Sequence, residues 1–67
     1  MIELTINGTP RQFAGPLSVT QLVEHLGLVG KRIAVERNGD IVPRSQFSDT
    51  PLSSGDKLEI VVAVGGG

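Results

Sequence analysis

Three consecutive glycines, Gly65-Gly66-Gly67, follow directly on a run of strand-forming residues at the end of the sequence. Glycine has no Cβ atom, so such a segment is thin enough to enter a narrow channel and leaves the Gly67 carboxyl carbon accessible. A carboxylate becomes a good electrophile only when it carries a leaving group, such as the AMP that ATP can transfer to it. These residues therefore favour acyl activation at Gly67, and a frayed terminus is the simpler alternative.

Other residue types with reactive side chains are few. The chain has no cysteine, which excludes disulfides, thiolate metal sites and persulfide chemistry on its own side chains. A single histidine, His25, falls near the end of a predicted helix, where an exposed imidazole is more common than a ligand or a base. The serines fall in caps and turns, and the seven carboxylates form no local acid–base pair, although pairs formed in space stay open.

We therefore expect no catalytic residue, no metal site and no bound cofactor, and the protein is not predicted to be an enzyme. If Gly67 is activated, a partner enzyme must bind the ATP and stabilise the developing charge.

Size and charge narrow the class of protein further. A chain of 67 residues with 39% hydrophobic content allows one small domain. The net charge of -1, without runs of either sign, gives no basic surface for nucleic acid or for a membrane. The longest apolar stretch, Ile60 to Val64, is far shorter than the roughly 20 residues of a membrane span. Without an export signal, we expect a cytoplasmic protein that is a monomer when free.

The N-terminal part predicts a hairpin. Apolar and polar residues alternate from 2 to 6, which is typical of a strand with one buried face. Asn7-Gly8 supplies the two residues that most readily take positive φ in a tight turn. The return strand is predicted at about 10–14, with Phe13 towards the core and the stem of Arg11 along the sheet edge.

A helix is predicted next, at 19–26. Ser18 and Gln21 form the S-x-x-Q pattern of a capping box, and Gly27 is placed to end the helix. The apolar positions repeat with helical spacing at Val19, Leu22, Val23 and Leu26.

Short elements follow in the second half of the chain. The sequence predicts a strand at 33–36, a turn at Asn38-Gly39, a short strand at 41–42, a helical turn at 43–47 that places Phe47 in the core, a turn at 53–56 and a strand at 57–64. This last strand is apolar on both faces in its second half, which is typical of the middle of a sheet.

Placing that strand parallel to the first, with the helix crossing one face, gives an α+β fold of the ubiquitin-like β-grasp class. We expect a mixed sheet of four to five strands with one main helix. Residues 1–64 would form the domain, and residues 65–67 a flexible C-terminal glycine tail.

The last strand also offers a candidate docking patch. If its even-numbered residues face the helix, Val61 and Ala63 lie on the open face of the sheet, with Ala34 beside them. Small apolar residues that simply suit a central strand are an equally good explanation. For Arg37 and Arg44 the spacing favours solvated charges over partner contacts.

The chain resembles the small β-grasp sulfur carriers, and most closely the sulfur carrier (ThiS) family of thiazole and thiamine biosynthesis. The resemblance covers nearly the whole chain. It rests on the Asn7-Gly8 hairpin, on residues 34–44, which match a family segment ending in Pro43-Arg44, on Gly55-Asp56, and on the Gly-Gly end.

This resemblance implies that an E1-like adenylyltransferase uses ATP to adenylate Gly67. A cysteine-derived sulfur donor then converts it to a thiocarboxylate, the 1-thioglycine, which delivers sulfur to thiazole synthase. Gly66 and Gly67 are the functional pair, and Gly65 is left without an assigned role. A sulfur carrier for molybdopterin or cysteine synthesis, a ubiquitin-type modifier and a noncovalent ubiquitin-like binding module are the alternatives.

Overall fold

A computed structural model describes residues 1–63, in which five strands form one mixed sheet. The elements are β1 (Ile2–Ile6), β2 (Thr9–Phe13), α1 (Val19–His25), β3 (Ile33–Arg37), β4 (Asp40–Val42) and β5 (Lys57–Val62), with a 3-10 turn at Arg44–Gln46. The sheet order is β2-β1-β5-β3-β4. Every predicted element is present, with ends that differ by one or two residues. Val64 and the predicted tail at 65–67 lie outside the described residues.

The first hairpin is as tight as the sequence predicts. Asn7 and Gly8 have φ angles of 50° and 83°, so both adopt the left-handed conformation that a two-residue turn requires. This turn pairs Ile6 with Thr9, and β2 therefore begins one residue earlier than expected. Phe13 pairs with Ile2 and packs against the core, which confirms its predicted orientation.

The capping box of α1 is formed in full. The Ser18 hydroxyl accepts a hydrogen bond from the Gln21 N–H at 3.2 Å, and the Gln21 side chain accepts one from the Ser18 N–H at 2.8 Å. The helix ends at His25, and Gly27 takes a φ of 71° just beyond it. The helix buries Val19, Leu22 and Val23 against the sheet.

Strand β5 lies in the middle of the sheet, as its apolar character predicts. It runs parallel to β1 and antiparallel to β3. Leu58 and Ile60 belong to the core, whereas Val61 points away from it and is 60% exposed. The remaining buried apolar residues come from β1, α1, β3, β4 and the loops: Leu4, Ile6, Leu17, Val19, Leu22, Val23, Val35, Val42, Phe47 and Leu52.

We expect Leu58→Ala to lower the free energy of unfolding by about 3 kcal/mol, because it leaves a cavity at the centre of this core. Val61→Ala on the same strand is the matched control, and its effect should stay below about 1 kcal/mol because that side chain is exposed. Urea denaturation of both variants measures the difference. Equal losses would contradict the assignment of the two faces of β5.

Candidate functional site: the anchored end of β5

Asn7 fixes β5 beyond the point where β1 ends. Its side chain accepts a hydrogen bond from the Ile60 N–H at 2.7 Å and donates one to the Ile60 carbonyl at 3.0 Å. The Asn7 N–H also donates to the Leu58 carbonyl at 2.9 Å. The Asn7 side chain thus supplies the donor and the acceptor that the backbone of a further β1 residue would supply. It holds β5 in place as far as Ile60.

Asp56 fixes the other end of β5. Its carboxylate accepts hydrogen bonds from the Arg37 Nε at 3.0 Å, from the Asn38 side chain at 3.1 Å and from the Ser53 N–H at 2.8 Å. The Asn38 side-chain oxygen in turn accepts from the Lys57 N–H at 2.9 Å. These contacts join the β3–β4 turn to the start of β5.

The pKa of Asp56 reflects this environment. Burial by itself raises the pKa, since only 7% of the residue is exposed. The hydrogen bonds from Ser53, Asn38 and Arg37, with the positive charge of Arg37, outweigh burial and bring the pKa below its usual value. Asp56 therefore stays ionised in the folded protein, where it acts as a structural anion.

Both arginines singled out in the sequence have structural contacts. Arg44 is exposed, as a solvated charge would be, whereas for the half-buried Arg37 the expectation of a solvated charge was wrong. Arg37 forms the ion pair with Asp56. Arg44 donates a hydrogen bond to the Lys31 carbonyl at 2.9 Å, which ties the 3-10 turn to the loop before β3. Sequence spacing could not show this, because each partner is at least 13 residues away along the chain.

The three residues of the candidate docking patch are exposed at the end of β5. Ala34 lies directly opposite Val61 across the β3–β5 ladder. Ala63 continues the alternation that begins at Val61, and its N–H donates to the Arg32 carbonyl at 2.8 Å. The structure therefore brings these residues together on the open face, just before the undescribed segment that begins at Val64.

An open groove lies on the opposite, helix-bearing side of the same strand end. Its volume is about 540 Å³, and Leu26, Leu28 and Val62 are among the residues that line it, with Arg11 also contributing. No carboxylate or histidine belongs to its lining. Within residues 1–63 this groove therefore offers a binding surface without an acid–base pair.

His25 packs against an aromatic ring. Its imidazole makes an edge-to-face contact with Phe13, with ring centroids 5.5 Å apart. Within the described part of the chain, no group of three or more His, Cys, Asp or Glu side chains is arranged to hold a metal ion. No helix between residues 1 and 63 has the length and apolar character needed to cross a membrane.

Comparison with known proteins assigns this arrangement to a family. The model of the ThiS family matches residues 4–67. The chain belongs to the ThiS family. A crystal structure of the thiamine biosynthesis protein ThiS from Geobacter metallireducens superposes with a TM-score of 0.84 at 35% identity, covering 98% of this chain and all of that one. The solution structure of the same Geobacter protein gives a TM-score of 0.81. These matches confirm the ubiquitin-like β-grasp fold and support a sulfur carrier in thiamine biosynthesis.

Two kinds of protein are similar to this chain in sequence: thiazole synthases and the uncharacterized protein ycf40. A thiazole synthase of Paramagnetospirillum magneticum is 44% identical over 66 residues, which cover 98% of this chain. The chain spans only 20% of the length of that relative. The uncharacterized protein ycf40 of Pyropia yezoensis is 39% identical and matches over 93% of its own length.

The sequence predicted the exposed residues at the end of β5, but it did not predict which residues hold β5 in place. Asn7 was interpreted only as a turn residue, and Asp56 only as part of a turn. The resemblance to the family did rest in part on both positions, but their contacts to Ile60 and Arg37 arise from tertiary structure.

We expect Asp56→Asn to cost about 1–3 kcal/mol at neutral pH, because three donors lose an ionised acceptor. The wild-type contribution should be complete above about pH 4, the usual unfolded pKa, and should disappear as pH falls through the lower pKa of the folded state. Thermal unfolding of both proteins from about pH 2 to 7 measures this. Asp49→Asn, at an exposed site, is the control; parallel curves for Asp56→Asn and wild type would contradict the role of Asp56.

We expect Asn7→Gly to accelerate hydrogen exchange at the Ile60 amide and to cost about 1–2 kcal/mol, since glycine keeps the positive φ and loses both side-chain hydrogen bonds. Asn7→Asp keeps an acceptor for the Ile60 N–H and loses the donor to its carbonyl, so it should be intermediate. Exchange measured by NMR distinguishes the three proteins. An Ile60 amide equally protected in Asn7→Gly would show that Asn7 is only a turn residue.

Proposed function

We propose that this protein is a sulfur carrier for thiazole formation in thiamine biosynthesis, with the sulfur held as a thiocarboxylate on Gly67. The observation that carries the proposal is the family match, which extends through the glycine segment to residue 67. The absence of cysteine supports it, because the carboxyl group of Gly67 is then the simplest place for covalent sulfur.

Two steps produce the thiocarboxylate. In the first, a Gly67 carboxylate oxygen attacks the α-phosphate of ATP, pyrophosphate leaves, and an acyl-adenylate forms. In the second, hydrosulfide attacks the acyl carbon; the C–S bond forms, the C–O bond to AMP breaks, AMP leaves with the electron pair, and loss of the S–H proton leaves the thiocarboxylate. An E1-like adenylyltransferase binds the ATP and stabilises the charge that develops.

The resemblance to the family implies the partners. A cysteine-derived donor supplies the sulfur, and thiazole synthase accepts it from the carrier in the cytoplasm. The thiazole synthase of Paramagnetospirillum, which includes a stretch 44% identical to this chain, supports a direct transfer between carrier and synthase. Val61, Ala63 and Ala34 form the surface that meets a partner while Gly65 and Gly66 allow Gly67 to reach its active site.

We expect the intact mass to rise by about 16 Da after incubation with the adenylyltransferase, ATP and sulfide, because one carboxyl oxygen is replaced by sulfur. Fragment mass spectra should locate the change on Gly67. Omission of ATP is the first control, and deletion of Gly66 and Gly67 is the second.

Three outcomes would overturn the proposal: no mass change, a change located elsewhere in the chain, or a change that survives the deletion. A deletion that leaves both partner affinity and cellular thiamine synthesis intact would instead favour a noncovalent binding module.

A further inference from the structure

Two Asn-Gly turns hold β5 in the same way, one from each neighbouring strand. Asn7 follows β1 and Asn38 follows β3, and both have left-handed φ angles, of 50° and 52°. Each makes three hydrogen bonds to β5 or to the residue before it, one through its backbone N–H and two through its side-chain amide. These two residues are also the only asparagines of the chain, and a glycine follows each of them.

An Asn-Gly pair has a chemistry of its own, and asparagine is one of the thermolabile residues of proteins. The amide nitrogen of the glycine can attack the side-chain carbonyl carbon of the asparagine, because glycine has no side chain to obstruct the approach. The new C–N bond forms, the bond to the side-chain nitrogen breaks, and ammonia leaves with the electron pair and with the proton from the glycine nitrogen. Water then opens the succinimide ring at either carbonyl, which gives aspartate or isoaspartate.

The folded structure opposes this attack at both positions. The attacked carbon becomes tetrahedral and its nitrogen departs as ammonia, so the amide cannot react while other groups hold both its oxygen and its nitrogen. At Asn7 these groups are the N–H and the carbonyl of Ile60, at 2.7 and 3.0 Å. At Asn38 they are the Lys57 N–H at 2.9 Å and an Asp56 carboxylate oxygen at 3.1 Å. Reaction therefore requires local opening of these contacts.

Asn38 is held less firmly than Asn7. Its hydrogen bond from the Lys57 N–H is exposed to solvent, whereas both bonds between Asn7 and Ile60 are partly buried. The hairpin of Asn38 ends in β4, an edge strand of three residues, whereas the hairpin of Asn7 joins two strands of five residues. Exposed hydrogen bonds in short edge elements open at a lower free energy. Asn38 should therefore react first.

Reaction at Asn38 also changes the charge beside a buried anion. The side-chain nitrogen of Asn38 donates to the carboxylate of Asp56, a residue that is only 7% exposed. Aspartate at position 38 would replace this donor with a second carboxylate oxygen, and two carboxylates at such a distance repel each other. The cation that pairs with Asp56, Arg37, would then face two negative charges.

We propose that Asn38 is a site of spontaneous deamidation, which proceeds through local opening of the β3–β4 turn and weakens the attachment of β5 at its start. Asn7, which is held on Ile60 in the central strand, is the protected counterpart. This reaction limits the lifetime of the folded domain, and it is independent of the proposed sulfur transfer.

The test follows the intact mass of the full chain during incubation at mildly alkaline pH, in buffer and in concentrated urea. Each event replaces ammonia with water and raises the mass by about 1 Da, and fragment spectra assign it to position 7 or 38. In urea the two sites should react within about two-fold of each other, because neither side chain is held. In buffer both should be slower, with Asn38 on the order of ten-fold faster than Asn7.

Asp56→Ala removes the acceptor of the Asn38 amide. It should bring the rate at Asn38 closer to the urea value and leave the rate at Asn7 unchanged. Asp49→Ala, which removes a carboxylate from an exposed site, is the matched control and should change neither rate. If Asp56→Ala unfolds the chain, both rates rise together, and the wild-type rates in buffer and in urea decide.

The effect of the product is measured on Asn38→Asp. Its control is Asn38→Gly, which loses the same side-chain hydrogen bonds, keeps the positive φ and adds no charge. We expect the urea midpoint of Asn38→Asp to lie below that of Asn38→Gly, because only aspartate adds a negative charge beside Asp56.

Four results would overturn the inference: a rate at Asn38 in the folded protein that is no higher than the rate at Asn7, a rate there equal to the urea rate, an unchanged rate in a folded Asp56→Ala variant, or an Asn38→Asp midpoint at or above that of Asn38→Gly. None of these results affects the proposed function, which depends on the ATP-dependent mass change at Gly67.

Discussion

The fold depends on the contacts that hold β5 in the middle of the sheet. The C-terminal end of β5 extends beyond the last residue of its neighbour β1. β1 stops pairing at Ile6, so β5 would lose its neighbour on that side. The Asn7 side chain replaces the missing strand residue at Ile60, and Asp56 joins the start of β5 to the β3–β4 turn. Polar contacts thus fix β5 at Ile60 and at its start, and the core fixes its middle, so the position of β5 in the sheet is well defined.

This constraint explains the positions that carry the resemblance to sulfur carriers. Asn38, Arg44 and Asp56 have no reactive role in the described structure; they donate or accept hydrogen bonds that connect loops to strands. These positions, which carry part of the family resemblance, thus stabilise the fold that holds β5, whereas the proposed chemistry belongs to the C-terminal glycines, which have no side chain. A small domain with few buried contacts needs such polar connections, because its core alone contributes little stability.

The two faces of the sheet differ in composition and in burial. One face is covered by α1 and supplies nearly all of the buried apolar area. The other is uncovered, and it combines exposed Ile41 and Val61 with two opposed carboxylates. Such a face lowers the stability of an isolated domain, because it leaves apolar surface in water and places like charges close together. Such a surface fits the docking role that we propose for Val61, Ala63 and Ala34.

The sequence by itself determined the elements and their order, because hairpin turns, the capping box and the alternation of apolar residues are local signals. It also predicted that β5 is central, because the second half of this strand is apolar on both faces, although only one of these faces is covered and Val61 stays 60% exposed. Tertiary structure alone decided that Asn7 reaches Ile60, that Arg37 pairs with Asp56 and that Glu36 faces Glu59. These contacts join residues 19 to 53 positions apart, and their existence depends on the register between strands, which a one-residue shift would destroy.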